Sequence, residues 1–301
     1  MLLQAPNIAK MRGDALFQNV RLSDNVRDSM DANARHLMTQ LRQNPLDYGV
    51  LDALRVHCEA NGDYAAWAEA LEHHLRASTE ADGDAIELGR LHFQLGNLYR
   101  DQLKRSDRAL VHYRSAIDFD ASQRPALAAA RAITVEQGDW AEAASLLAYE
   151  ADSLPAGPKR AAALVELAQL YKTQLRDRER AEQALREAVS SARDDLQLQH
   201  QLATTLLEGA DQLGTVPAAE SKRREAAGLL AAMAHAVSDD YAFAYIEAAL
   251  DAVPDQAEAL QLLEQVAPRM GRSDTLAPRW LAAIRGARDP KLARTVRLKM
   301  A

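Results

Sequence analysis

Apolar residues recur every three or four positions along most of the chain, the signature of helices that bury one stripe and wet the other. Residues 25–43 are the first such segment, with Val26, Met30, Leu37 and Leu41 spread along it. Residues 194–213 and 218–237 read as two longer helices joined by Gly214-Thr215-Val216-Pro217. Residues 241–253 stop at Pro254, residues 257–270 stop at Gly271, and a last pair covers 276–285 and 291–300. Asp289-Pro290 supplies a cap and a first-turn proline for the terminal helix. Residues 1–24 have no clear period and read as a loose arm or one short helix. No stretch makes a convincing strand, so the pattern predicts about a dozen helices and an all-α fold.

A second regularity lies between these segments. Leu95-Gly96-Asn97-Leu98-Tyr99 returns as Leu167-Ala168-Gln169-Leu170-Tyr171, an offset of 72 residues. At the same offset Gln102-Leu103 matches Gln174-Leu175, Arg108-Ala109 matches Arg180-Ala181, and Arg114 and Ala116 match Arg186 and Ala188. Half of that offset, 36 residues, is close to the period of a helix–turn–helix unit. The intervening units agree with that division. Gly62-Asp63-Tyr64-Ala65 precedes Leu71, and Gly138-Asp139-Trp140-Ala141 precedes Leu147. Each Gly-Asp pair falls where a tight turn needs a permissive backbone and the next helix needs a capping carboxylate.

These residues resemble the tetratricopeptide repeat, whose pattern sets Leu-Gly and Tyr in a first helix and Ala, an aromatic, Ala and a final Pro in and after a second. The best unit supplies Leu95-Gly96 and Tyr99, then Ala109, Tyr113 and Ala116, with one residue inserted between its helices. The copy at 171–188 carries the same insertion. Gly138, Ala143, Leu147 and Pro155 fit a further unit, and Pro45 stands where a repeat ends. The resemblance implies a superhelix of about six helix pairs. An N-terminal capping helix at 25–43 would be followed by four repeats over 44–79, 80–120, 121–156 and 159–193. Degenerate repeats would then fill 194–301. The Pro155-Ala156-Gly157-Pro158 stretch reads as a bend, not a domain boundary. Small residues at 96, 168, 109, 116, 181 and 188 would let helices approach closely, while Tyr99 and Tyr171 fill the gaps between them.

Composition narrows the function. Hydrophobic residues make up 48% and charged residues 26%, enough for a sizeable core. A net charge of −7 argues against bulk nucleic-acid binding. A lone cysteine, Cys58, cannot form an internal disulfide and takes the Tyr99-type core position in its unit, where a buried inert thiol is expected. The N-terminus does not read as a secretory signal and no run is long enough to span a membrane, so a cytoplasmic location is expected. Phosphate loops, dinucleotide fingerprints and metal-binding His-Glu-x-x-His helices are missing. His57-Cys58 and His73-His74 do not make a metal site, because neighbours on a helix diverge by about 100°. No catalytic residue, metal or cofactor is expected.

In repeats of this kind the first helix of each pair lines the inner surface. The resemblance therefore implies a partner-binding groove at Arg90, Phe93, Asn97 and Arg100, and in the fourth unit at Ala162, Val165, Gln169 and Lys172. Amide and cationic side chains suit an extended acidic peptide or a terminal carboxylate, and an exposed Phe93 would anchor an apolar side chain. The inner positions Gly49, Asp52, Val56 and Glu59, and Pro125, Ala128, Ala132 and Val135, do not complete the Lys/Asn clamp by which some family members hold a C-terminal carboxylate. The C-terminus is basic: from Arg279 onward seven Lys or Arg face Asp289 alone, a net of +6 that leaves −13 elsewhere. Arg285, Arg288, Lys291, Arg294 and Arg297 recur every third residue beside an apolar stripe of Leu292, Val296 and Met300. That tail reads as a solvated capping helix or as a dock for an acidic partner, nucleic acid or anionic lipid. Two functions remain open. One is a non-catalytic scaffold or adaptor that binds a protein or peptide. The other is a regulatory or sensor module that binds a small ligand or nucleic acid through its C-terminal half. Oligomeric state is not encoded.

Overall fold

The computed structural model describes residues 30–286 and the further residues 294, 295 and 298. All regular elements among the described residues are helical. The chain divides into two compact units, one ending at Ser153 and the other starting at Leu154. The division falls beside the 155–158 turn, which the sequence placed inside a continuous array.

The first unit contains α1 (Ala32–Gln43), α2 (Tyr48–Asn61), α3 (Tyr64–Glu80), α4 (Ala85–Asn97), α5 (Ser106–Phe119), α6 (Arg124–Glu136) and α7 (Trp140–Ser153). Each helix packs on the next in sequence. A carboxylate starts most of them: Asp31, Asp47, Asp63 and Asp84 accept backbone N–H groups of the first turn of α1 to α4, and Asp139 does so for α7. Part of the acidic balance is therefore spent on capping. Gly62 and Gly138 reverse the chain with φ of 71° and 72°, the left-handed backbone that the Gly-Asp pattern predicts. Met38 and Leu41 of α1, and Met30 just before it, are buried, and Leu37 packs partly against the core. The expected residues 25–29 of this capping helix, and the arm at 1–24, lie outside the described residues.

The second unit contains α8 (Pro158–Leu170), α9 (Arg178–Ser191), α10 (Leu196–Leu213), α11 (Pro217–Ala234), α12 (Asp239–Ala252), α13 (Ala257–Arg269) and α14 (Leu276–Gly286). Here too successive helices pack together. Asp177 and Asp195 cap α9 and α10, and Pro217 occupies the first turn of α11. The helices expected from 194 to 285 are found within a few residues of their predicted ends. The helix expected at 291–300, with its Asp289-Pro290 start, lies outside the described residues apart from 294, 295 and 298, which are helical.

The inserted residue has a physical form. After α4 the chain makes one π turn at Leu98–Gln102, and after α8 another at Tyr171–Leu175. Arg105 N–H reaches Tyr99 C=O at 2.8 Å, and 72 residues on, Asp177 N–H reaches Tyr171 C=O at 2.9 Å. Lys104 and Arg176 adopt φ of 55° and 53° to close the two turns. A left-handed residue other than glycine costs about 1 kcal/mol or more, so the same backbone detour recurs at a cost in both copies.

Close approach is clearest at Gly96. A Cβ built there would lie 2.5 Å from the Tyr113 ring, so the ring rests directly on the α4 backbone. The second copy carries Ala168, buried, and faces it with Leu185 at the position of Tyr113. One extra methyl on the first helix accompanies a smaller side chain on the second. Tyr171 departs from the expectation. It is only half buried, with the Arg180 guanidinium 5.7 Å from its ring centroid, whereas Tyr99 is 5% exposed. Tyr99 is drawn inward by a bond to the Glu72 carboxylate on α3, and Tyr171 makes no such bond among the described residues. The Gly96→Ala variant should lose about 1–3 kcal/mol of stability in urea unfolding through overpacking. Adding Tyr113→Leu, which copies the second repeat, should recover part of that loss.

Candidate functional site

The inner positions of the first unit are occupied with each other. Phe93, Asn97 and Arg100 follow one face from α4 into its π turn and gather around Tyr113. The Phe93 and Tyr113 ring centroids are 5.9 Å apart, Tyr113 donates its hydroxyl to Asn97 Oδ1 at 2.8 Å, and the Arg100 guanidinium sits 5.7 Å from the Tyr113 ring. Phe93 is therefore half buried and packs against the core, which corrects its expected role as an exposed anchor. Packing on Tyr113 covers one side of the ring. Arg100 also holds Asp101 through two bonds of 2.7 and 2.9 Å, and Arg90 holds Glu87 from one turn away. Both guanidiniums have their pKa raised chiefly by those carboxylates.

The second unit leaves its inner face open. Gln169 at the end of α8 and Lys172 in the π turn are exposed, as are Gln197, His200, Thr204 and Glu208 along one side of α10. They share one helical stripe, opposite the buried Leu202, Ala203, Leu206 and Ala210. Between α8 and α10 lies a cleft of about 370 Å³, floored by Ala168, Ala181 and Leu185 and walled by amide, hydroxyl and imidazole groups. The one ion pair bridging its rims is Lys172 Nζ to Glu208, 2.7 Å, among the described residues. Lys172 also lines a neighbouring cavity of about 480 Å³ at the turn end of the same helices. Beneath, Glu182 is 1% exposed and holds Lys222 at 2.6 and 2.5 Å, while Arg186 grips Glu225 with two bonds of 2.7 and 2.8 Å. These ion pairs tie α9 to α11.

Sequence reasoning found the α8 side of this cleft and missed the α10 side. Residues 196–213 lie beyond the recognisable repeats, so no inner positions could be carried onto them. The polar spacing of 197, 200, 204 and 208 was a signal that required no family pattern.

A buried polar chain in the first unit was also missed. Glu72 on α3, 6% exposed, accepts the Tyr99 hydroxyl, and Arg108 donates to that hydroxyl at 3.0 Å. The His112 ring lies parallel to Tyr99 at 5.5 Å, and His92 Nδ1 meets His112 Nδ1 at 3.1 Å. One ring must donate and the other accept, so both cannot be protonated together. Burial, with its charged neighbours, pushes His92 down to about 3 and His112 down to about 4, and burial raises the Glu72 carboxyl. The chain joins three consecutive helices and is largely buried, with Arg108 alone reaching solvent, which suits structure better than reaction.

The other candidates are accounted for. Cys58 is fully buried, with its thiol pushed up to about 12 mainly by burial. His74 is buried against the Pro45 carbonyl at 2.7 Å, and His57 bonds Asp31 at 2.8 Å. No group of three or more His, Cys, Asp or Glu is placed to hold a metal ion among the described residues. No described helix is long and apolar enough to cross a membrane. Of the basic tail, Arg285 and Arg294 are exposed, and Arg288, Lys291 and Arg297 lie outside the described residues.

Residues 161–195 match the family model of the tetratricopeptide repeat. The resemblance read from Leu167, Ala168, Tyr171, Ala181 and Ala188 is thus shown, and the fold is that of tetratricopeptide-type helix pairs. Curated proteins give no match. Among solved structures, the chain is similar to the C-terminal part of a repeat-containing protein from Cytophaga hutchinsonii, at 11% identity over 85% of this chain and 98% of that one, TM-score 0.35. A tetratricopeptide repeat protein from Parabacteroides merdae is 17% identical over 84% and 99%, TM-score 0.34. A Naa15/Naa10 complex bound to HypK-THB is 16% identical over 88% and 43%, TM-score 0.42.

The buried histidines set a pH dependence. Unfolded, each binds a proton near pH 6.5; folded, they resist it until about 4 and 3. Stability supplied by the neutral pair is present above pH 6.5 and is lost as pH falls toward those folded values. Glu72 works the other way, since its raised folded value favours the folded state as it protonates. Urea unfolding from pH 7 to 4.5 should therefore give the His92→Gln/His112→Gln variant a shallower loss than the parent, by about 1.4 kcal/mol per pH unit for each histidine at most. Equal slopes would mean the pair titrates normally.

Proposed function

We propose that the protein is a non-catalytic scaffold that holds an extended peptide segment of a partner protein along the second unit's open face. The observation that carries this is the cleft between α8 and α10: an apolar floor flanked by exposed Gln169, Gln197, His200, Thr204 and Lys172. An extended strand has a free backbone donor or acceptor at every residue, and amides and hydroxyls at helical spacing can meet them. Each bond made is worth about 1 kcal/mol net, so several are needed for useful affinity. The groove set proposed from the repeat pattern thus rests mainly on Gln169, since Lys172 must exchange its Glu208 partner for one on the peptide. Arg90, Phe93, Asn97 and Arg100 are largely spent on Glu87, Tyr113 and Asp101. We place this activity in the cytoplasm, in keeping with a single, buried, unreactive cysteine.

Selection of a random 12-residue display library on the intact chain should enrich peptides with a shared pattern. Isothermal titration of such a peptide should show at least a tenfold weaker Kd for Gln197→Ala/Thr204→Ala, about 1.4 kcal/mol, with helical circular dichroism unchanged. Failure to enrich any peptide, or unchanged affinity in that variant, would remove the reading.

A further inference from the structure

The cavity of about 480 Å³ beside the cleft has an unusual charge inventory. Its walls include Lys172, Arg176, Arg178 and Lys222 against a single carboxylate, Glu179. Two of those cations are committed: Lys222 to the buried Glu182, and Lys172 to Glu208. The Arg176 and Arg178 side chains form no hydrogen bond or ion pair among the described residues, although those of most arginines of the second unit do. Two guanidiniums near one opening repel each other, and at close range that cost is offset only by solvent or by a bound anion.

The 72-residue repeat shows what is missing. Lys172 and Arg176 correspond to Arg100 and Lys104. In the earlier copy Asp101 stands beside Arg100 and neutralises it with two bonds. The corresponding residue in the later copy is Thr173, which lines the cavity and carries no charge. Lys172 pairs with Glu208 instead, whereas Arg176 keeps the charge of Lys104 without a carboxylate at 173, and Arg178 adds a cation where the earlier copy has Ser106. Arg176 also has a fixed backbone, since φ of 53° and the closing bond from Asp177 N–H to Tyr171 C=O hold it at the rim. Leu213, 44% exposed, adds an apolar lip.

We propose that this cavity is an acid-reading subsite: it receives an Asp or Glu side chain, or a short run of them, from the peptide that lies in the adjoining cleft, with Arg176 and Arg178 as the charge-assisted donors. The proposal rests on the peptide-binding reading above and adds the partner's chemistry to it. Carboxylate is the fitting ligand because guanidiniums offer paired donors to two oxygens, and the wall continues through Lys172 into a groove built for peptide backbone. Charge pairing at an open rim should also make binding salt-sensitive.

The test is a pair of selections with the same random 12-residue library. One uses the intact chain and the other its Arg176→Asn/Arg178→Gln variant, in which asparagine tolerates the left-handed backbone. The parent should enrich peptides rich in Asp and Glu, and the variant should not. An enriched peptide with its acids changed to Gln or Asn should bind the parent about tenfold more weakly, and the variant without further loss, by fluorescence anisotropy in 50 mM and 300 mM salt. The peptide-side substitution keeps the test sound if the protein variant folds poorly. Enrichment of peptides with no acidic bias would overturn the subsite while leaving the groove in place. Equal acidic enrichment by both proteins would overturn it too, by locating acid recognition elsewhere. No enrichment by either protein would remove the groove, and the subsite with it.

Discussion

Within each unit, every helix leaves an apolar stripe that its neighbours in sequence must cover, and that need organises everything else. The small residues Ala109, Ala116, Ala181 and Ala188, all essentially inaccessible, exist so that backbones can come close enough to seal it. Gly96 is the extreme case, with an aromatic ring laid on bare backbone. Because the apolar stripe is used up internally, the polar stripes on the remaining faces are free to differ between copies without disturbing the packing.

The two units use that freedom differently. Around Tyr113 the polar residues of the first unit close on one another, and a chain from Glu72 to His92 links three helices from inside. Such a network specifies a unique packing as long as every member is satisfied, and it penalises any state that charges the histidines. In the second unit a buried and a part-buried ion pair between α9 and α11 perform the clasping, while the face of α8 and α10 stays open to solvent, with Lys172 and Glu208 paired across it and its exposed amide and imidazole groups facing water. The same repeat therefore serves as a strut in one place and as a surface in another.

Much of this was legible in the sequence. The helical period, the 72-residue repeat and the Gly-Asp turns located nearly every described helix, because each reports a local backbone or burial requirement. The inserted residue was visible too, although only the structure shows that it becomes a π turn closed by Lys104 or Arg176. Side-chain pairing was not legible. Phe93, Asn97 and Arg100 stand at inner positions of the repeat, yet their availability depends on Tyr113 and Asp101, and on how far one ring leans. The α10 face was lost for another reason. The repeat pattern fades after residue 193, so the α10 face is marked only by the helical spacing of its polar residues.

Hydrogen–deuterium exchange on the intact chain, with and without a saturating selected peptide, tests the account most directly, because it reports where a ligand lies without altering any residue. The account predicts new protection over residues 168–178 and 197–213, with residues 88–119 unchanged. Protection confined to residues 88–119, or to the basic segment after 279, would contradict it.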